Sequence, residues 1–295
     1  MSISNKSLQE RYKQAAVNPE PSASSRLIQR LLIGFGQATW YLRSLPDFII
    51  IGAQKAGTSS LYKYLLQHPA ILPAYQKEIH YFTIPELYFK GEGWYRSHFP
   101  TKLIKGKRLT GEASPSYLFF PPVPERVYQM MPQVKLIVLL RDPIARAFSN
   151  YHHQVRRGLE TLSFEEAIMQ ESNRVNNDLQ KTMNDPHFHS LNLAHYSYLL
   201  RGEYVWQLKR WRAFFPAEQM LILKSEDFYD DPQETVAQVT SFLDLPDWKP
   251  SAAIFKRYNP GTYEKMSPEL RQHLNQYFEP ANEALFDFLG RNLGW

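Results

Sequence analysis

The sequence predicts a three-layer α/β domain, with a central, mainly parallel β-sheet flanked by helices. Three observations lead there. Short apolar runs recur at 48–51 (FIII), 135–140 (KLIVLL) and 219–224 (QMLILK), and the second is continuous enough for the middle of a parallel sheet. Helical stretches rather than tight turns separate these runs, and strands joined through helices run parallel. The first run enters a glycine-containing loop, 52–57 (GAQKAG), after which a helix begins at Thr58 and Ser59. A strand, a tight loop and a helix N-terminus form an anion-binding device, because loop amides and unpaired helix N–H groups converge where the helix dipole favours negative charge.

Each element follows in order. Residues 1 to about 25 are polar and end in a cluster of Pro19, Pro21, Ser22, Ser24 and Ser25, as expected of a loosely ordered arm. Residues 27–45 are apolar but broken by Arg30, Gly34, Gly36, Gln37 and Arg43; they fit a membrane surface or a helix packed on the domain. The expected division is therefore an arm and amphipathic segment over 1–45 and one domain over 46–295. The first helix stops at His68-Pro69, since the residue before proline avoids helical geometry. Ile71 and Leu72 then extend toward 77–82 (KEIHYF). The stretch 83–107, rich in aromatics, Gly and Pro, reads as a surface excursion. Residues 108–112 (RLTGE) read as a short strand, 113–117 (ASPSY) as its loop and 123–132 as a short helix.

The strand 135–140 stops at Arg141-Asp142-Pro143, and a helix runs from there to about residue 157. Ser163 with Glu166 fits a capping box opening a helix over 164–173 or beyond. Residues 174–195, polar and enriched in Asn and His, read as a mobile loop. A helix is expected over 198–215, then the strand 219–224. Asp231 as cap and Pro232 at the first helical position open a helix to about 243, and Ser267-Pro268 caps the C-terminal helices.

At 295 residues, 43% hydrophobic and 14% aromatic, the chain can bury a large core. A formal charge of +5 suits an anionic ligand, with the cations spread too evenly to require nucleic acid. Cysteine is absent, which excludes disulfides, thiolate metal sites and a cysteine nucleophile. No apolar run approaches the ~18–20 residues of a membrane span, and the N-terminus lacks a signal-peptide pattern. A soluble, cytoplasmic protein is expected, with peripheral membrane contact through 27–45 left open.

The loop resembles a Walker A sequence in spacing but fails at the decisive residue. Gly52 and Gly57 are correctly separated, yet Thr58 occupies the lysine position, and the only lysine, Lys55, lies inside the loop. A nucleoside triphosphatase fits this badly. A loop that holds a nucleotide 5′-phosphate, with a lysine beside its terminal group, fits well. A ligand-free strand–turn–helix crossover is the plain alternative.

Three segments together, GAQKAGTSSLY (52–62), KEIHYF (77–82) and LIVLLRDPIARAFSNYHH (136–153), resemble the PAPS-dependent sulfotransferases. The heparan sulfate branch, with its N- and 3-O-sulfotransferases and bacterial relatives, is the most similar. The resemblance runs from about residue 46 to 295 and implies a P-loop-like fold. It implies 3′-phosphoadenosine 5′-phosphosulfate (PAPS) as donor and adenosine 3′,5′-bisphosphate as product. By that resemblance Lys55, Ala56, Gly57, Thr58, Ser59 and Ser60 hold the 5′-phosphosulfate, and Arg141 with Ser149, eight residues on, holds the 3′-phosphate. Lys256, Gly261 and Tyr263 fall in the loop that closes over the donor.

Physical chemistry gives some of these residues the same roles independently. An arginine at a strand's end offers a forked donor set for phosphate. A positioned ammonium such as Lys55 stabilises charge on the bridging oxygen of a leaving nucleotide without a metal. The resemblance of KEIHYF makes Glu78 the candidate general base, since an attacking hydroxyl or amine must lose its proton, and His80 either orients it, acts as base itself or simply packs. His152-His153, His187 and His189 lack the supporting spacing of a metal site, so no metal is expected.

Two departures bear on the acceptor. The eukaryotic enzymes of the branch carry a lysine where this chain has Ala113, and they are membrane-anchored. The expected acceptor is thus a hydroxyl or amine, of a carbohydrate or a small polar molecule, with Glu112, Ser114, Tyr117 and 174–195 as candidate lining. The alternative functions are a P-loop-type nucleotide kinase or hydrolase and a non-catalytic nucleotide-binding module.

Overall fold

A computed structural model of the chain describes residues 33–255 and 266–295. Five strands, β1 (Phe48–Gly52), β2 (Ile71–Pro73), β3 (Leu109–Ala113), β4 (Lys135–Leu140) and β5 (Met220–Lys224), form a parallel sheet in the order β2-β3-β1-β4-β5. β1 is central because it is apolar on both faces: all five of its residues are buried. Phe48 stands opposite Gly111 of β3 and Lys135 of β4, and β4 pairs β5 from Leu136 opposite Met220 to Leu140 opposite Lys224. Because every strand points the same way, the chain leaves Gly52, Pro73, Ala113, Leu140 and Lys224 at one rim. Ligands of open α/β sheets bind at such a rim.

The flanking helices are α1 (Thr58–Leu65), α2 (Val123–Met130), α3 (Pro143–Arg156), α4 (Phe164–Met169), α5 (Glu171–Asn184), α6 (Leu191–Tyr196), α7 (Tyr204–Arg212), α8 (Ser225–Asp230), α9 (Pro232–Phe242) and α10 (Pro268–Leu289). The expected caps are present. Asp142 accepts from the amides of Ile144 and Ala145 with Pro143 behind it, Ser163 and Glu166 close a capping box, and Asp231 caps α9.

Three expectations need correction. The loop expected over 174–195 is mostly helix: α5 and α6. Asn-rich sequence has poor intrinsic helix propensity, but tertiary contacts override it. Val175 and Thr182 are buried, and Arg174 ties α5 to Glu160 at 2.6 Å while lying over the Tyr196 ring. The excursion expected over 83–107 is only partly a surface feature. Three short helical segments (Pro85–Tyr88, Glu92–Arg96 and Lys102–Lys105) bring Tyr95 and Phe99 into the core, where Tyr95 stacks 4.7 Å from Tyr81. The helix expected over 198–215 shortens to a single 3₁₀ turn, Leu200–Gly202, and α7.

The described part of the amphipathic segment is packed on the domain. Arg43 Nη1 donates to the Phe99 carbonyl at 2.7 Å, and the Ser44 amide and hydroxyl both donate to the Pro100 carbonyl. Residues 1–32, including most of the polar arm, and the loop holding Lys256, Gly261 and Tyr263 lie outside the described residues. Among those described, no helix is long and apolar enough to cross a membrane.

Candidate active site

The site is built from the chain leaving β1, β2, β3 and β4 at the carboxyl rim. Gly57 is the N-cap of α1 and no side chain caps that end, so the amides of Thr58 and Ser59 keep no intrahelical acceptor. Gly57 has φ +94°, and a Cβ there would meet the Tyr229 hydroxyl at 3.0 Å and the Phe228 ring at 3.1 Å. Gly52 is needed for another reason: a Cβ would come within 2.5 Å of the Leu118 Cβ. The loop is anchored from below, where Ser225 Oγ donates to the Ala56 carbonyl at 2.8 Å.

Arg141 reaches this loop directly. Its Nη1 donates to the Lys55 carbonyl at 2.9 Å, while Tyr204 donates to the Arg141 carbonyl and the Asp142 amide donates to Glu226. Asp142 caps α3 and pairs with Arg271 at 2.5 Å. Ser149 is buried on the same helix, eight residues after Arg141.

Lys55 sits in a cationic neighbourhood. Burial, with the charges of Arg156 and Arg141 and, more weakly, Arg146, lowers its pKa to about 8, against the opposing pull of Glu78. His153 on α3 is held neutral, down to about 4, by burial and by the charge of Lys55. In the sequence His153 reads only as a poor metal-ligand candidate and Arg156 carries no signal of its own, although both follow Ser149 at the i+4 and i+7 spacing of one helix face.

Glu78 lies on the segment after β2. Its carboxylate is 3.1 Å from Lys77 Nζ and 3.7 Å from His80 Nε2. Burial pushes the carboxyl up, but the adjacent His80 ring and the Lys77 charge outweigh it and hold the pKa at about 2. Lys77 Nζ also donates to Ser59 Oγ at 2.5 Å, so one ammonium bridges the candidate base and the start of α1. The contact of Lys77 with Ser59, eighteen residues earlier, is tertiary and has no local sequence signal.

His80 is braced from β3. Its Nδ1 lies 3.2 Å from Ser116 Oγ, and its amide donates to Ser114 Oγ, which donates in turn to Glu112. Glu112 also accepts from Tyr95 at 2.6 Å, and its pKa is raised by burial. Glu112, Ser114 and Tyr117 are fully buried, so they support the site from behind and do not line it for an acceptor. Among the described residues, four non-glycine residues have positive φ, and three of them are Lys55 (72°), Glu78 (54°) and His80 (56°). Left-handed backbone costs a non-glycine residue of order 1 kcal/mol, and such strain concentrates where function requires it.

The arrangement presents cations and helix amides to an anion on the α1 side and an ionised carboxylate on the other. Among the described residues, no group of three or more His, Asp or Glu is placed to hold a metal ion.

The sulfotransferase domain family matches residues 45–280, and the chain belongs to that family. It is a sulfotransferase with a P-loop-like α/β fold. It is 30% identical over 274 residues to the mouse heparan sulfate glucosamine 3-O-sulfotransferase 5, a match covering 86% of this chain and 75% of that one. The membrane-associated sulfotransferase kil1 of Dictyostelium discoideum is 28% identical, with 86% and 67% covered. The crystal structure of a sulfotransferase from Alicyclobacillus acidocaldarius superposes with a TM-score of 0.66 at 32% identity, covering 85% of this chain and 98% of that one. A kinase or nucleotide hydrolase is not favoured: Thr58 stands where such enzymes need lysine, and the family match runs through the loop.

Proposed function

We propose that this sulfotransferase moves a sulfuryl group from PAPS to a hydroxyl or amine of a saccharide. The observation that carries the reading is the convergence at one loop: Lys55, whose carbonyl accepts from Arg141, faces the charge of Glu78 on the neighbouring segment. The residues suit a doubly phosphorylated donor. The open N-terminus of α1 and Lys55 offer one anion site, and Arg141 with Ser149 on α3 offers a second. Lys256, Gly261 and Tyr263 would complete the donor site. The saccharide acceptor rests on the heparan sulfate glucosamine 3-O-sulfotransferase likeness.

In the reaction the acceptor oxygen or nitrogen bonds to sulfur as the bond from sulfur to the bridging oxygen breaks. Lys55 stabilises the charge that collects on that oxygen. Glu78 takes the acceptor's proton. With its pKa held at about 2, Glu78 is ionised at every working pH but is a weak base. Proton transfer therefore comes late, once bonding to sulfur has made the acceptor proton acidic. His80, braced by Ser116, orients the carboxylate. Peripheral membrane contact through 27–45 and a cytoplasmic setting belong to the same reading.

The test pairs binding with turnover. Calorimetry without magnesium is expected to show adenosine 3′,5′-bisphosphate binding and no comparable binding of ATP. Labelled sulfate from PAPS is expected on a member of a panel of glucosaminyl saccharides. Binding of the bisphosphate without transfer to any hydroxyl or amine acceptor would leave only a nucleotide-binding module.

A further inference from the structure

The amino ends of β1 and β3 carry an exposed apolar surface that the chemistry at the opposite rim does not use. The short helix Lys102–Lys105 holds Leu103 with 93% and Ile104 with 55% of their surface exposed. Thr101 caps this turn and bridges to Arg43, which places the turn beside Trp40, Tyr41 and Leu42, also exposed. Soluble surfaces scatter single apolar residues, but large ones gathered on two adjoining turns mark an interaction site.

Charge identifies the partner. The segment 101–108 reads TKLIKGKR, with Lys102, Lys105, Lys107 and Arg108 and no acidic residue; 33–46 has none either. Two acidic residues adjoin this surface and each is paired with a cation: Asp47 with Lys105 at 2.7 Å, and Glu92, next to the Gly93 that Trp40 lies against, with Arg96. Aliphatic residues at a tip, Trp and Tyr beside them and lysines around the rim match the depth profile of an anionic bilayer surface, from acyl chains to headgroups. A second copy of this chain fits poorly, because a two-fold contact through this patch would press the same lysines against one another.

We propose that the 101–108 turn, together with Trp40 and Tyr41, seats the enzyme on an anionic membrane surface. This deepens the membrane contact proposed for 27–45 and is independent of the donor and acceptor assignment. The seat lies where the chain enters β1 and β3, whereas Lys55, Glu78 and Arg141 lie where it leaves β1, β2 and β4. A five-residue strand spans ~16 Å, so the bound enzyme would hold its active rim that far above the lipid and open to the solvent side.

The test is co-sedimentation of the full chain with phosphatidylcholine vesicles, with and without a minority of phosphatidylserine. Binding is expected only with phosphatidylserine and is expected to weaken with salt. Leu103→Glu/Ile104→Glu should reduce vesicle binding about tenfold or more, and Lys102→Glu/Lys107→Glu about 25-fold or more, since each surface cation is worth about a fivefold change in partitioning. Adenosine 3′,5′-bisphosphate affinity should be unchanged in both, which shows that they fold. If only Trp40→Ser/Tyr41→Ser abolishes binding, the contact of 27–45 stands and the role of the 101–108 turn falls. If the wild type ignores both kinds of vesicle, or light scattering finds a dimer that Leu103→Glu dissociates, the membrane seat is refuted.

Discussion

Loss of the Lys55 proton is expected to set the alkaline limb of kcat/KM for the donor. A free lysine titrates near 10.4. Here burial and the flanking guanidinium groups of Arg156 and Arg141 bring Lys55 down to about 8. The protonated ammonium is the useful form. It is fully present well below pH 8 and is lost as the pH rises through that value. One unit higher about a tenth of it remains, so kcat/KM should fall about tenfold per pH unit above 8. The parameter reports the free enzyme; kcat, measured with donor anions in place, should hold its limb to higher pH. Lys55→Arg keeps its charge throughout. It should be slower, because a planar guanidinium does not place a point charge, yet its profile should stay flat to about pH 10. Initial rates of labelled-sulfate transfer at low donor concentration measure both. A wild-type profile without the limb, or the same limb in Lys55→Arg, would refute the assignment of that limb to Lys55.

Glu78→Ala should abolish transfer while leaving adenosine 3′,5′-bisphosphate binding within about twofold; a variant of near-normal rate removes Glu78 as base. Lys77→Met deletes a charge 3.1 Å from Glu78. At the near-aqueous dielectric of a carboxylate that is over a third exposed, this is worth about 1.3 kcal/mol, so Glu78 should titrate about one unit higher by carbon-13 NMR. An unmoved Glu78 would mean that Lys77 only decorates the site. Gly57→Ala forces a Cβ into left-handed backbone 3.0 Å from the Tyr229 hydroxyl, for about 1–2 kcal/mol. A melting point lowered by a few degrees and weaker bisphosphate binding should follow, and calorimetry checks both.

Much of the fold was legible because its signals are local. FIII, KLIVLL and QMLILK could be little but buried strands, and Asp142-Pro143, Ser163 with Glu166, and Asp231-Pro232 announce helix starts through short-range hydrogen bonds. The misread stretches were those stabilised from outside. Past residue 173, the Asn-rich RVNNDLQ gives little local support for a helix until Arg174 meets Glu160 and Tyr196. Likewise, the aromatics of 83–107 read as surface until Tyr95 is seen stacked on Tyr81 and bonded to Glu112.

The sequence alone determined the strand–loop–helix at 48–65, the displacement of the loop lysine from the Walker position to Lys55, and the Arg141–Ser149 spacing. Each depends on residues close together in the chain, where backbone sterics and helix periodicity leave few choices. Tertiary structure decided how these pieces act on one another. It set the Arg141 contact that joins α3 to the loop, the Lys77 bridge between Ser59 and Glu78, and the burial of Glu112 behind His80. It also lowered Lys55 to about 8 and Glu78 to about 2. Ionisation is set by the charges and solvent around a group, and those are fixed only when distant segments meet.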